Sequence, residues 1–194
     1  MKRIAVLVSG GGTNLQALID AQNRGEIVSG KIEVVISNRE GAYALERAKA
    51  AGIEAFAVAE KSADVLCEKI SAELKLRKID LIVLAGFLAI LTPEFVAAYE
   101  NRIINIHPAL LPKYGGRGFY GLHVHRAVLA AGEKVSGATV HFVTAGVDRG
   151  EILAQKEVAV KAGDTPESLQ QRIMEEAEWI LLPRVTEELC KKIG

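Results

Sequence analysis

Short, nearly unbroken runs of branched apolar residues constrain the fold of this chain more than any other feature of its sequence. Four such runs occur in residues 1–106: Ile4–Val8, Glu33–Ile36, Leu81–Ala85 and Ile103–Ile106. Runs of this length without polar alternation are typical of strands that are buried on both faces of a parallel sheet. Between them, stretches such as Leu66–Leu74 carry apolar residues at helical spacing. The pattern predicts strand–helix units joined by right-handed crossovers.

The pattern changes after Pro108. Val135–Thr144 and Ile152–Val160 are extended segments with partial two-residue alternation, and the turn-prone stretch Gly146–Gly150 separates them. They predict a hairpin-like antiparallel pair on the same sheet. The predicted fold class is therefore α/β: a single-domain, Rossmann-like, doubly wound and mostly parallel sheet, with antiparallel strands in the C-terminal half.

A last helix is predicted near the end of the chain. Asp164 or Thr165 would cap it, and Pro166 would lie in its first turn. Its predicted buried stripe has four members: Leu169, Ile173, Ala177 and Ile180.

Charge and cysteine content restrict the kinds of partner. The 24 basic and 24 acidic residues give a formal net charge of +0, so we expect no field that would recruit nucleic acid or an anionic membrane. The apolar start before Ser9 is too short for a signal-peptide core or a membrane span. Cys67 and Cys190 indicate two reduced thiols rather than a disulfide framework or a zinc site. We therefore expect a cytoplasmic protein of one domain.

A glycine loop, Ser9–Asn14, connects the first predicted strand directly to a helix. Glycines permit close approach of a ligand to the backbone, and the first N–H groups of the helix can bind an anion. The spacing fits neither a dinucleotide fingerprint, because Leu15 replaces the third glycine, nor a Walker loop. We predict that the amides of Gly12, Thr13 and Asn14 hold one phosphate. The alternative is a tight turn in which Thr13 or Asn14 is only the helix cap.

A candidate catalytic pair, Asn105 and His107, lies at the end of the fourth apolar run, where Pro108 would stop the strand. The amide can donate to a carbonyl oxygen that gains negative charge, and the imidazole can move a proton. Asp148, in a glycine-flanked turn, would raise the pKa of His107 if it lay within about 4–6 Å. The alternatives are a packing or capping histidine and an ordinary turn aspartate.

The other histidines, His123, His125 and His141, are interpreted as structural or peripheral, and no spacing of carboxylates around them suggests a metal site.

Four segments resemble a known family. They are Ser9-Gly-Gly-Gly-Thr-Asn-Leu-Gln-Ala-Leu, Leu84-Ala-Gly-Phe-Leu, Asn105-Ile-His-Pro-Ala-Leu-Leu-Pro-Lys-Tyr, and His141-Phe-Val-Thr through Asp148-Arg-Gly. Together they closely resemble the folate-dependent formyl transferases, and among these the phosphoribosylglycinamide formyltransferases of purine biosynthesis. The resemblance implies a phosphate-binding half in residues 1–100 and a catalytic and folate-binding half in residues 101–194 of one domain.

The resemblance also implies a role for each candidate residue. Gly12, Thr13 and Asn14 would bind the substrate phosphate, and Glu178 would contact the glycinamide substrate. Leu88, Ala89, Ile90 and Leu91, together with Asn105, would bind the pterin of 10-formyltetrahydrofolate, the formyl donor. Asn105 and a protonated His107 would stabilise the oxyanion while Asp148 keeps His107 charged. The implied partners are two small molecules, with no metal, and the chain would act as a monomer or homodimer.

The sequence departs from the family pattern near the folate tail. Ala89 stands where many relatives carry Arg. The stretch Ser62–Asp64 also lacks the Arg that relatives use near the folate tail. The segment Gly115–Gly121 is longer than in many relatives, and we expect it to be a mobile lid in which Arg117 supplies a cationic contact.

Three other functions are compatible with parts of the sequence. A hydrolase of the same superfamily would release formate to water, but it typically carries an added N-terminal regulatory domain. A formyltransferase acting on initiator transfer RNA would carry a basic C-terminal domain. A noncatalytic phosphate-binding module would explain the glycine loop but would leave Asn105, His107 and Asp148 without a joint role.

Overall fold

The computed structural model describes residues 1–193, which contain one seven-stranded sheet in the order β3-β2-β1-β4-β5-β6-β7. The strands are β1 Lys2–Val8, β2 Gly30–Ser37, β3 Glu54–Ala57, β4 Leu81–Leu84, β5 Ile103–His107, β6 Val135–Phe142 and β7 Ile152–Ala159. Strands β1 to β5 pair in parallel, whereas β6 is antiparallel to β5 and β7. The predicted fold class is confirmed.

Helices connect the strands and cover both faces of the sheet. They are α1 Thr13–Asn23, α2 Tyr43–Ala50, α3 Ala63–Leu76, α4 Pro93–Ala98, α5 Leu122–Ala130, α6 Pro166–Ile173 and α7 Trp179–Lys192, with a π-helical turn at Met174–Glu178 between the last two. The parallel pairs β1–β2 and β1–β4 are separated in sequence by such helices, as a doubly wound sheet requires.

The unbroken apolar runs are explained by two separate cores. In β1, Ile4, Val6 and Val8 pack into the core on one face of the sheet, and Ala5 and Leu7 pack into the core on the other. All five side chains are fully buried. Successive side chains of a strand point to opposite faces, so a strand with a core on each side must be apolar at every position.

The sheet order brings the candidate sites to one edge. Strands β1, β4 and β5 are parallel neighbours, so the loops that follow them lie beyond the same carboxyl edge, where ligands gather in open α/β sheets. Ser9, directly after β1, connects the loops that follow β4 and β2: its hydroxyl accepts from the backbone N–H of Leu88 at 2.7 Å and donates to Asn38 Oδ1 at 2.5 Å. Gly10–Asn14, shortly after β1, and Asn105–His107, at the end of β5, therefore lie at the same edge.

Strand β3 and helices α2 and α4 have no counterpart among the elements predicted from the sequence. Strand β3 has only four residues, all of them at least partly exposed, and it forms one margin of the sheet. An edge strand lacks the unbroken apolar signal of the central strands because one side of it has no neighbour. The bounds of the other strands differ from the predicted ones by three residues at most.

The predicted stripe of the last helix is wrong at one position. Leu169, Ile173 and Ala177 are fully buried, but Ile180 is 49% exposed and Leu181 is buried instead. The cause is the π-helical turn, whose wider i→i+5 bonding moves the following residues around the helix axis by about one position. Of the two predicted caps, Thr165 is the N-cap, in a capping box with Ser168.

Within the part of the chain that the structure describes, none of the helices combines the length and apolar character needed to cross a membrane. Cys67 and Cys190 are both buried and unpaired. Burial raises the pKa of the Cys190 thiol to about 12, so that it stays protonated at neutral pH.

Candidate active site

The glycine loop ends in a backbone conformation that favours glycine. Gly12 lies immediately before α1 with φ 74° and ψ 35°, in the left-handed region. A Cβ atom at Gly12 would lie 2.6 Å from Cβ of Ala44, so α2 packs directly against the loop. Among the described residues no side chain caps α1. The N–H groups of its first turn therefore remain available to an anion at the positive end of the helix dipole.

Neither Thr13 nor Asn14 is the N-cap of α1, because Gly12 takes that position. The hydroxyl of Thr13 lies 3.6 Å from Sδ of Met174. Nδ2 of Asn14 donates to Oε2 of Glu178 at 2.6 Å. Both side chains instead connect the glycine loop to the π-helical turn at the other end of the sequence.

Glu178 is a buried carboxyl group directly beside this loop. Burial raises its pKa to about 7, and the hydrogen bond from Asn14 partly opposes that rise. Oδ1 of Asn14 is buried and has no hydrogen-bond partner among residues 1–193. A carboxyl group next to an unpaired acceptor oxygen can receive the N–H or O–H groups of a polar ligand.

The structure brings Asn105, His107 and Asp148 together. Asn105 and His107 project from one face at the end of β5, which stops directly before Pro108. Asp148 follows β6, where a φ of 54° turns the chain back toward the site. Its Oδ2 lies 3.5 Å from Nδ1 of His107, close enough for the carboxylate to raise the pKa of the imidazole.

A fourth side chain, His141, lies in the same cluster, so it is not peripheral to the candidate site. His141 is directly opposite Asn105 in the antiparallel β5–β6 pair. Its Nε2 lies 3.2 Å from Nδ2 of Asn105 and 3.5 Å from Oδ1 of Asp148. Its position could have been found only by assigning the register of the two strands, because 36 residues separate it from Asn105.

The pKa of His107 lies below its usual value, contrary to the expectation that Asp148 would keep the ring charged. Burial lowers it, and the charge of Asp148 and the carbonyl oxygen of Tyr114 raise it by less. Burial also raises the pKa of Asp148, but proximity to His141 and His107 and the N–H of Gly116 outweigh it, so the net shift is downward. At neutral pH the pair is therefore a neutral imidazole beside a carboxylate.

The segment Gly115–Gly121 lies against this pair. The N–H of Gly116 donates to Oδ2 of Asp148 at 2.9 Å, and Nε2 of His107 donates to the carbonyl oxygen of Tyr114 at 2.7 Å. The hydroxyl of Tyr114 donates to Glu133 at 2.9 Å, which attaches the residue before the segment to the turn that follows α5. The segment therefore contacts the carboxylate, and the residue directly before it contacts the imidazole.

The loop after β4 presents apolar side chains at the same edge of the sheet. Leu88 and Ile90 are exposed, Ala89 is half-buried, and Leu91 is buried and packs into one of the two cores. Exposed leucine and isoleucine side chains in a loop are suited to contact with the face of a flat ring. Leu91 can contribute to such a site only through its backbone.

The remaining histidines lie on α5. His123 is exposed, and its ring meets that of Tyr120 edge-on at 5.2 Å between centroids. His125 is fully buried, and burial lowers its pKa to about 4. No cluster of three or more His, Cys, Asp or Glu side chains able to hold a metal occurs in residues 1–193.

Residues 2–186 match the family model described as formyl transferase. Phosphoribosylglycinamide formyltransferase of Escherichia coli is 43% identical over 173 residues, which cover 88% of this chain and 79% of that protein. The trifunctional purine biosynthetic protein adenosine-3 of Drosophila melanogaster is 45% identical over 182 residues; they cover 92% of this chain but only 13% of that protein.

The fold is similar to that of solved structures. The crystal structure of glycinamide ribonucleotide transformylase 1 from Symbiobacterium toebii superposes with a TM-score of 0.91 at 42% identity, over 99% of this chain and 89% of that one.

Proposed function

The chain belongs to the formyl transferase family, and from that premise we propose that it transfers the formyl group of 10-formyltetrahydrofolate to the amine of phosphoribosylglycinamide. The products are the N-formyl glycinamide and tetrahydrofolate, in a step of de novo purine biosynthesis. The observation that carries the proposal is the meeting of Asn105, His107 and Asp148 at the sheet edge where the glycine loop also ends.

The phosphate of the acceptor substrate binds to the amides of Gly12, Thr13 and Asn14. The helix dipole of α1 and the uncapped first turn support this assignment. Glu178 and the free acceptor oxygen of Asn14 receive hydrogen-bond donors of the glycinamide substrate. The backbone and apolar side chains of Leu88–Leu91 bind the pterin of the donor, with Asn105 at the reacting end.

The reaction forms a bond between the acceptor amine and the formyl carbon and breaks the bond from that carbon to the folate nitrogen. Asn105 donates an N–H to the formyl oxygen as that oxygen gains negative charge. His107 begins as a neutral imidazole and takes the proton that the attacking nitrogen loses. Asp148 stabilises the resulting imidazolium, which then helps to hold the oxyanion and returns the proton to the leaving folate nitrogen.

Such proton transfer contributes on the order of 10²–10⁴-fold to the rate. The remainder comes from holding two small molecules in register at one edge of the sheet.

We further propose that the chain forms one domain and works in the cytoplasm as a monomer or homodimer, without nucleic acid, membrane or metal. The balanced charge and the two buried, unpaired thiols support this setting.

An absorbance assay tests the proposal directly. Purified protein is mixed with 10-formyltetrahydrofolate, with and without phosphoribosylglycinamide, and tetrahydrofolate formation is followed. We expect turnover only when both substrates are present, and we expect the dephosphorylated acceptor to react far more slowly. Release of formate at the same rate without the acceptor would identify a hydrolase instead.

A further inference from the structure

His141 is a buried imidazole that takes no part in the mechanism proposed above. It is only 2% exposed, and it faces Asn105 across the β5–β6 pair at the end nearest the catalytic cluster. Its two ring nitrogens have different partners, and these partners determine where the ring carries its proton.

Nδ1 of His141 lies 2.8 Å from the backbone carbonyl oxygen of Phe142. A carbonyl oxygen can only accept, so Nδ1 carries the hydrogen. In the neutral ring Nε2 is then an acceptor. The nearest donor to it is Nδ2 of Asn105 at 3.2 Å.

This contact fixes which way the Asn105 amide points. With the amide turned over, its oxygen would face the lone pair of Nε2, and two acceptors would oppose each other. In the observed orientation one N–H of Nδ2 is donated to His141. The second has no other protein partner in residues 1–193, which leaves it for the substrate.

Asp148 lies on the same side of the ring. Its Oδ1 is 3.5 Å from Nε2 of His141, farther than Nδ2 of Asn105 at 3.2 Å. A hydrogen on Nε2 would be directed toward this carboxylate, and Asn105 would lose its acceptor.

We infer that His141 is a positioning residue: its imidazole, with the hydrogen on Nδ1 and none on Nε2, holds the Asn105 carboxamide with a free N–H directed at the formyl oxygen. The inference rests on the proposed function. It assigns His141 no contact with either substrate, so its effect on the rate passes through Asn105.

A double-mutant cycle separates this role from general support of the fold. His141→Phe keeps a flat ring but removes the acceptor, and we expect kcat to fall about 10–100-fold with both KM values changed less than about threefold. In an Asn105→Ala background the same substitution should cost less than about threefold, because the group it positions is already gone. Equal losses in the two backgrounds would overturn the inference.

Two further variants control for packing. His141→Gln can place an amide oxygen near the position of Nε2, so it should recover part of the rate lost in His141→Phe. Ser136→Ala removes another buried polar group from β6, one without a hydrogen-bond partner, and should leave kcat unchanged. A His141→Gln variant no faster than His141→Phe would contradict the role of an acceptor.

The tautomer can be measured without relying on any variant to fold. Long-range ¹H–¹⁵N correlation spectra of the wild-type protein at pH 7, with His141→Gln used only to assign the signals, should show Nδ1 protonated and Nε2 bare. An Nε2-protonated or doubly protonated ring would overturn the inference. Absence of formyl transfer by the wild-type protein would instead refute the proposed function and leave the tautomer result unaffected.

Discussion

Glu178 carries a carboxyl group whose protonation is coupled to folding. Burial raises its pKa in the folded chain to about 7, from about 4.5 for a glutamate in water. A carboxyl group with a raised pKa stabilises the fold while it is protonated, below the unfolded pKa. That contribution is lost as the pH rises through the folded pKa. The protein therefore keeps at the proposed substrate site an acid that costs stability at neutral pH, as functional sites commonly do.

Glu178→Gln should remove this loss. Without substrate, we expect the free energy of unfolding of the variant, relative to wild type, to increase by about 3 kcal/mol between pH 4.5 and pH 8. Urea unfolding at both pH values measures the difference.

Glu187→Gln is the matched control, for which we expect the opposite pH dependence of the free energy of unfolding. Burial raises the pKa of Glu187, but N–H groups of Val28 and Ser29, the Ser29 hydroxyl and Lys191 outweigh that effect, so its net pKa is lowered. This substitution should destabilise the protein most above the unfolded pKa. If both variants responded to pH in the same direction, burial would not be the cause of the shift at Glu178.

Asp148→Asn tests how the carboxylate acts on His107. Asp148 raises the pKa of His107 against the lowering effect of burial. Its removal should therefore shift the acid limb of the kcat/KM profile to lower pH. It should also reduce kcat by about 10²-fold or more, because the imidazolium loses its counter-charge. A pH–rate profile measures both effects, and an unchanged acid limb would show that a group other than His107 governs it.

At the scale of elements, the contact between α2 and the glycine loop fixes the backbone of the proposed phosphate site. Gly12→Ala would place a methyl group 2.6 Å from Cβ of Ala44 and force a side chain into the left-handed region. We expect a loss of about 1–3 kcal/mol in the free energy of unfolding. Chemical denaturation of Gly11→Ala is the control: its Cβ would meet nothing within 4 Å, and the loss should be smaller. Equal stability of the two variants would contradict the close packing of α2 on the loop.

The segment Gly115–Gly121 is expected to move during the catalytic cycle and to present Arg117 to the folate tail. Arg117 is exposed, and the segment already lies against Asp148 through Gly116. Arg117→Ala should raise the KM for the folate several-fold while the KM for phosphoribosylglycinamide stays constant. Steady-state kinetics of Arg126→Ala, which removes an exposed arginine from α5, provides the comparison. An unchanged folate KM in Arg117→Ala would refute the contact.

At the scale of the whole molecule, one sheet runs through both halves of the chain. Strand β5 of the second half pairs with β4 of the first, and α7 packs on α1. We therefore expect one cooperative unfolding transition, with equal calorimetric and van't Hoff enthalpies. Differential scanning calorimetry measures both. Two resolved transitions would show that residues 1–100 and 101–194 unfold as separate units.

The central fold was predictable from the sequence because two cores impose an apolar residue at every position of strands such as β1. Asn105 and His107 were predictable because their spacing and Pro108 define the end of one strand. His141 was not, because its place depends on the register between β5 and β6. The direction of the pKa shift of His107 was also not predictable. The sequence reveals the carboxylate that raises this pKa, but not the burial that lowers it by more.

The central claim is that His107 carries the proton in formyl transfer and does little to bind the substrates. Single-turnover transfer by His107→Ala, combined with calorimetric titration of phosphoribosylglycinamide into the same variant, tests it most directly. The account predicts a rate reduced on the order of 10³-fold or more with a Kd within about threefold of wild type. Transfer at close to the wild-type rate, or loss of acceptor binding in proportion to the loss of rate, would contradict it.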